Sequence, residues 1–173
     1  MASSSTISNQ KSFKYHVFLS FSGEDTRMNF VSHLYAGLKG QGIDTFKDTE
    51  ELVKGERIDE LFKAIENSKF FVIVFSKKYA SSSWCLRELA KIMECQKPIE
   101  RKVYPFFYNV DPADVRQQSG DVGEAFARHK NEHVGKWKKA LEDAGNLVGW
   151  DLRKRVEAEA IKEIVEDISR KSA

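Results

Sequence analysis

Phe70-Phe71-Val72-Ile73-Val74-Phe75 is the stretch that decides the fold of this chain. Every side chain in it is apolar, so a strand built from it has no polar face to present to water. Such a strand is typical of a parallel sheet covered by helices on both faces, whereas a half-exposed strand alternates apolar and polar residues. The stretch therefore predicts a buried strand inside an α/β domain.

Strand and helix patterns alternate on both sides of this stretch. The predicted strands lie at residues 17–21, 43–46, 70–75, 103–108 and 147–150. Helical spacing follows at residues 30–38, 58–65, 81–93, around 126–141 and at 161–168. This β-α-β-α alternation indicates a flavodoxin-like, doubly wound sheet of about five mainly parallel strands with helices on both faces.

Prolines and capping residues refine one of these strands and mark two helix starts. Pro105 is disfavoured in a central strand, so we expect the strand at 103–108 to lie towards an edge or to pair irregularly. Asp111 and Pro112 form a cap and first-turn pair for a helix. The serines at positions 81–83 are N-cap candidates for the third helix.

Length, net charge and the lengths of apolar runs indicate a single domain and argue against nucleic-acid and membrane partners. The 173 residues fit one domain, which we place at residues 14–170 behind a disordered tail at 1–13. The formal net charge of +2 is too small to imply a nucleic-acid partner. No apolar run approaches the roughly 20 residues of a membrane span, so no membrane partner is expected.

Cys85 and Cys95 are the only cysteines. Ten helical residues separate them by roughly 15 Å, which is too far for a disulfide. Reduced thiols favour an intracellular compartment, and we expect the cytoplasm, with the nucleus as a further location.

Five motifs in order carry a family resemblance. They are YHVFLSFSGEDTR at 15–27, SHLY at 32–35, GIDTF at 42–46, SSSWCLREL at 81–89, and FFYNVDP followed by VR at 106–116. Together they resemble the plant Toll/interleukin-1 receptor (TIR) domain found at the N-terminus of TIR-NB-LRR immune receptors. In that family the domain usually precedes a nucleotide-binding ATPase region, and the sequence leaves open whether this chain is such a piece or a TIR-only protein.

The resemblance implies that Glu88 is the catalytic glutamate of NAD⁺ cleavage. It also implies that the loops at 22–27 and 47–56 bind the dinucleotide, which is a substrate rather than a cofactor. Trp84 lies four residues before Glu88, so the two share a helix face, and we expect Glu88 to be solvent-accessible in a pocket. The alternative is a glutamate on the wet face of an amphipathic helix. The residues expected to bind substrate are Ser22, Gly23, Glu24, Asp25, Thr26, Arg27, Gly55 and Trp84.

Ser22 departs from the family, which usually carries arginine between Phe21 and Gly23. Serine supplies neither the charge nor the reach of a guanidinium, so a phosphate contact at this position is in doubt. The Gly23 turn could approach phosphate through backbone N–H groups, or be an ordinary turn capped by Asp25 or Thr26. Arg27 could bind phosphate or pair with an acid.

Two further residue pairs are candidates for an association surface and for a metal site. Relatives use the pair equivalent to Ser32 and His33 in a helix-to-helix surface, which implies self-association or pairing with other TIR domains. His129 and His133 match the H-x-x-E-H pattern of zinc peptidases, but the neighbouring lysines and the lack of a third ligand favour a solvated face, so no metal is expected.

The leading hypothesis is an NAD⁺ nucleosidase, with NAD⁺ or NADP⁺ as substrate, that is activated by self-association and signals plant immune defence and cell death. The alternative is a non-catalytic module that acts only through TIR–TIR association. Ser22 keeps the alternative open, and the Trp84 and Glu88 pair favours the enzyme.

Overall fold

The computed structural model of the chain describes residues 13–23, 29–47, 58–96 and 101–172. The strands in these ranges are β1 (Tyr15–Phe21), β2 (Thr45–Lys47), β3 (Ser68–Phe75), β4 (Val103–Phe107) and β5 (Trp150–Asp151). The helices are α1 (Phe30–Gly40), α2 (Ile58–Glu66), α3 (Ser83–Cys95), α4 (Pro112–Gln117), α5 (Gly120–Phe126), α6 (Val134–Gly145) and α7 (Glu157–Ser172). A short 3₁₀ turn, Tyr79–Ser81, connects β3 to α3.

The strands form one parallel sheet in the order β2-β1-β3-β4-β5. This order confirms the predicted flavodoxin-like fold. The chain runs from β1 to β2 on one side and then crosses to β3 on the other side of β1, so the switch point lies between β1 and β3. Ligands of such sheets bind beyond the carboxyl ends of the strands at this point.

Alternate strand residues feed two separate core layers. One layer joins Phe18, Phe71 and Ile73 to helices α2, α3 and α6. The other joins the intervening residues, among them Leu19 and Val72, to α1 and α7. Strands that bury both faces explain the unbroken apolar run at 70–75. In the described part of the chain, none of the helices combines the length and apolar character that a membrane span requires.

Several predicted boundaries shift. The strand expected at 43–46 is Thr45–Lys47, and the one expected at 147–150 is Trp150–Asp151. The long helical region around 126–141 is two helices, α5 and α6, separated by a turn. The predicted caps are confirmed: the Ser82 hydroxyl accepts from Cys85 N–H at 3.1 Å, and the Asp111 carboxylate accepts from Ala113 N–H at 2.9 Å.

The expectation that the Pro105 strand lies towards an edge or pairs irregularly is confirmed. β4 lies next to the edge strand β5, and β5 pairs only with Phe106 and Phe107, so it leaves Pro105 unpaired on that side. Tyr108 N–H donates to Phe75 O in β3, whereas Phe107 O accepts from Leu152 N–H on the β5 side. Hydrogen bonds of a parallel strand alternate between its two neighbours, so the missing N–H of Pro105 faces β5. Because the missing N–H faces β5, the proline interrupts no bond between β3 and β4. It interrupts none between β4 and β5 either, since β5 pairs only with Phe106 and Phe107.

A polar cluster of Tyr104, Asp167 and Lys171 connects α7 to β4 of the sheet. The Tyr104 hydroxyl donates to Asp167 Oδ2 at 2.6 Å, and Lys171 Nζ donates to the same oxygen at 3.0 Å. Partial burial opposes ionisation of Asp167, but the bonds from Tyr104 and Lys171 outweigh it and lower the pKa of Asp167. Charge on Asp167 therefore stabilises the folded chain.

Gly149 passes so close to β4 that no side chain fits there. A Cβ at this position would lie 2.7 Å from Pro105 Cγ and closer still to Pro105 O. We expect Gly149→Ala to lower the free energy of unfolding by about 2 kcal/mol, because the backbone must shift to admit the methyl group. Urea unfolding measures the change. The control is Gly135→Ala in α6, where the methyl group meets open space and should stabilise the helix by up to about 1 kcal/mol. Equal effects of the two substitutions would contradict the steric account.

The pH dependence of stability tests the Asp167 cluster. Because its folded pKa lies below its ordinary value, Asp167 stabilises the fold above about pH 3.9, and this contribution is lost as pH falls through the folded pKa. Asp167→Asn should therefore be less stable than the wild type near neutral pH, with the difference shrinking below about pH 4. Urea titrations from pH 7 to pH 2 test this, and a difference that stays constant over that range would contradict it.

Candidate functional site

The candidate site lies where β1 and β3 end, at the switch point of the sheet. Ser20 comes one residue before the end of β1, on the face covered by α3, and is paired in register with Ile73 of β3. Ser82 caps the N-terminus of α3 and fixes where that helix starts. The first turns of α3 therefore lie against Ser20, and these turns carry Glu88.

Glu88 is buried, with 1% of its surface exposed. The Ser20 hydroxyl donates to Glu88 Oε1 at 2.7 Å. The expectation of a solvent-accessible Glu88 is therefore wrong in this structure, and so is the alternative of a glutamate on the wet face of α3. The physical reason is the helical period: Cys85, Glu88, Leu89 and Ile92 follow at i, i+3, i+4 and i+7, the stripe that α3 presents to the sheet.

Ser20 joins Glu88 to a second buried hydroxyl. Ser20 Oγ lies 2.7 Å from the Tyr79 hydroxyl oxygen, and the Tyr79 hydroxyl is also 3.2 Å from the backbone oxygen of Cys85. All four residues are buried. We call Ser20, Tyr79 and Glu88 the buried triad. The triad is held among apolar side chains, since the Tyr79 ring packs edge-on against Phe75 with centroids 5.0 Å apart.

Burial disfavours ionisation of the Tyr79 hydroxyl. Desolvation is the main cause that raises the pKa of Tyr79 well above its ordinary value, and electrostatic interactions with Cys85 and Glu88 raise it further, although the hydrogen bond with Ser20 lowers it. Tyr79 therefore stays a neutral phenol at physiological pH. A neutral phenol keeps one hydrogen to donate within the triad.

Ser20 and Tyr79 were missed by reasoning from the sequence. A signal was present for Ser20, since it is the one hydroxyl residue inside the apolar run at 17–21. A polar residue buried in a strand requires a partner. No such sequence signal indicates a role for Tyr79, because an aromatic residue after β3 is expected to be an ordinary core residue.

The other predicted substrate-binding residues are only partly described. Trp84 is half-buried in the first turn of α3, as the spacing from Glu88 requires, and Ser22 is 3% exposed. Gly23 is partly exposed at the end of the first described range. The remaining predicted residues, Glu24, Asp25, Thr26, Arg27 and Gly55, lie outside the described residues.

The predicted association surface is on the other side of the sheet. Ser32 and His33 are exposed on α1, whose buried residues Phe30 and Leu34 pack in the layer opposite α3. An exposed polar pair on a helix fits either an interface or a solvated face. The surface and the buried triad are thus separated by the sheet.

His129 and His133 do not stand one turn apart on a helix, because α6 begins at Val134. His129 Nε2 lies 2.9 Å from the backbone oxygen of Ala80, and both imidazole rings pack against Trp137. Within the described residues, no group of three or more His, Cys, Asp and Glu side chains is placed to hold a metal ion. His129 is therefore part of the packing between α6 and the Tyr79 turn, and His133 stacks on Trp137 at the surface.

Comparison with known proteins supports the fold described above. The profile of the TIR domain matches residues 14–173. Disease resistance protein RPV1 of Vitis rotundifolia is 52% identical over 98% of this chain, and TMV resistance protein N of Nicotiana glutinosa is 47% identical over 99% of it. The chain spans only 12% and 15% of the length of these two relatives.

A solved structure with a similar sequence also supports the fold. The structure is that of the TIR domains of the activated Roq1 resistosome, which directly recognises the pathogen effector XopQ. It is 45% identical to this chain, with a TM-score of 0.80, and the match covers 90% of this chain and 99% of that one.

Proposed function

This chain belongs to the TIR domain family, and we propose that it is an NAD⁺ nucleosidase that becomes active when copies associate. Its products would signal plant immune defence and cell death from within the cell. The similarity to disease resistance proteins supports the biological setting. The observation that carries the chemistry is the buried carboxylate of Glu88 at the carboxyl ends of β1 and β3.

A carboxylate in this position calls for a functional explanation. The other stripe positions of α3, such as Cys85, Leu89 and Ile92, are apolar. Burying an ionisable group costs free energy, and an apolar side chain of similar size would make the core more stable. Ionisable groups kept at such a cost in the region where α/β sheets bind ligands are candidates for catalysis.

One carboxylate suffices for the proposed reaction. The bond between ribose C1′ and the pyridinium nitrogen breaks, and its electron pair returns to nitrogen, so nicotinamide leaves as a neutral molecule without a general acid. The positive charge that develops on the ribose is stabilised by the Glu88 carboxylate. Water then bonds to C1′ and loses a proton, which gives ADP-ribose.

The burial of Glu88 supports dependence on assembly. A dinucleotide reaches the carboxylate only after part of the surrounding structure moves, so a lone domain should be slow. Contacts between copies would stabilise the open arrangement and exclude water from it. The Roq1 structure contains TIR domains within an activated resistosome, which supports association. We place the contact of this chain on α1, at the exposed pair Ser32 and His33, because family members use the equivalent pair for self-association.

A second candidate function is a non-catalytic module that acts through TIR–TIR association alone. Two observations favour it: Ser22 stands where the family usually carries arginine, and Ser22 and Glu88 are both buried. The two functions differ in one measurable respect, since only the enzyme releases nicotinamide.

Replacing Glu88 tests the chemistry. Glu88→Gln keeps an oxygen that accepts from Ser20 but removes the charge that stabilises the ribose cation. We expect nicotinamide release from NAD⁺ to fall by about 100-fold or more, with little change in thermal stability. The control is Glu94→Gln, an exposed acid on the same helix, which should retain full turnover. Undiminished turnover in a folded Glu88→Gln protein would refute the catalytic role of Glu88.

Changing the α1 surface tests the role of assembly. Turnover per molecule should rise with protein concentration, and Ser32→Glu with His33→Ala should lower both association and turnover without changing the fold. Sedimentation and nicotinamide release, measured at the same concentrations, check this. Lys138→Ala on the exposed face of α6 is the control. Turnover that is independent of concentration, and equal in the double variant, would show that assembly through α1 does not control the site.

A further inference from the structure

We infer that Ser20 and Tyr79 are positioning residues that hold the Glu88 carboxylate for catalysis, with Tyr79 acting through Ser20. This inference rests on the proposed function and deepens it. Its evidence is independent of the family, since it comes from the distances and the hydrogen count of the buried triad.

The hydrogens of the triad run in one direction. Ser20 and Tyr79 each carry one hydroxyl hydrogen, and Ser20 donates its own to Glu88 Oε1 at 2.7 Å. The Ser20–Tyr79 contact, also 2.7 Å, therefore requires Tyr79 as the donor. The Cys85 backbone oxygen is a more distant acceptor for the same phenol, at 3.2 Å. Tyr79 thus donates to Ser20, and Ser20 donates to Glu88.

This direction has a consequence for the carboxylate. A hydroxyl that accepts a hydrogen bond becomes a stronger donor, so Tyr79 strengthens the bond from Ser20 to Glu88. The Ser20 backbone is fixed in β1 and the Tyr79 ring is fixed against Phe75. One oxygen of Glu88 is therefore held in place by rigid elements, which is what a catalytic group requires when its position must be accurate to a fraction of an ångström.

The chain offers a matched control for each positioning residue. Ser68 is as buried as Ser20, and its hydroxyl donates to Ala64 O at 2.7 Å, but it lies at the opposite, amino end of the sheet. Tyr104 is as buried as Tyr79, and its hydroxyl donates to Asp167 at 2.6 Å in the other core layer. Ser68→Ala and Tyr104→Phe thus remove one buried and one part-buried hydroxyl hydrogen bond, both remote from Glu88.

The experiment measures kcat and KM for nicotinamide release in six proteins: the wild type, Ser20→Ala, Tyr79→Phe, their double variant, and the two controls. We expect Ser20→Ala to lower kcat by about 10- to 100-fold and Tyr79→Phe by about 3- to 10-fold, with KM little changed. In the double variant, Tyr79→Phe should add no further loss of kcat, because its path through Ser20 is already gone. The controls should lose thermal stability to a similar degree and keep the wild-type kcat.

Each outcome is decisive. A wild type that releases no nicotinamide overturns the proposed function and this inference together. An active, Glu88-dependent wild type whose kcat survives both Ser20→Ala and Tyr79→Phe overturns the inference alone. Losses that are fully additive, or equal losses in the Ser68 and Tyr104 controls, show a structural role and also overturn it. Should Ser20→Ala fail to fold, the smaller change Tyr79→Phe, compared with Tyr104→Phe, decides by itself. Sedimentation of all variants verifies that association through α1 is unchanged.

Discussion

The parallel pairing of β1 with β3 is the contact on which the rest of the structure depends. Its register runs from Tyr15 opposite Ser68 to Phe21 opposite Val74, and it places the topological switch point between two strands that are buried over most of their length. Both core layers start from these strands, because alternate side chains enter the α2–α3–α6 layer and the α1–α7 layer. The same register sets Ser20 at the carboxyl end of the sheet, under the first turns of α3.

Burying polar groups there imposes a second constraint. A hydroxyl or carboxylate left without a partner in this interior would cost about 1–3 kcal/mol, so the triad holds only while its members remain together. Mutual dependence of this kind stabilises one arrangement over all others, whereas an apolar core tolerates several packings. The triad therefore needs exact positions for its hydrogen-bonding atoms, whereas the surrounding apolar core needs only side chains that fill the space. Exact positions of this kind serve catalysis more than folding.

The fold could be predicted from the sequence further than the site could. The apolar run at 70–75 and the caps at Ser82 and Asp111 are local signals, and they correctly indicated a parallel sheet and two helix starts. Pro105 correctly indicated a strand towards the edge of the sheet, since β4 lies next to β5 and the short β5 does not reach the proline. The spacing of Glu88 from Trp84 does not reveal its burial, which follows from the apolar stripe of Cys85, Leu89 and Ile92. Its partners Ser20 and Tyr79 are 68 and 9 positions away in the chain, and no local pattern encodes that approach.

The separation of the two surfaces defines how association could influence chemistry. Ser32 and His33 lie on α1 and the triad lies under α3, so no contact between copies through α1 touches Glu88 directly. An effect of an α1 contact on Glu88 would pass through the sheet, and β1 is placed to transmit it: Leu19 and Phe21 pack in the α1 layer, while Ser20 between them donates to Glu88. A shift of α1 that moved the end of β1 would therefore move the donor of the carboxylate. Coupling by this route needs no long-range pathway, since it uses the alternation of side chains along a single strand.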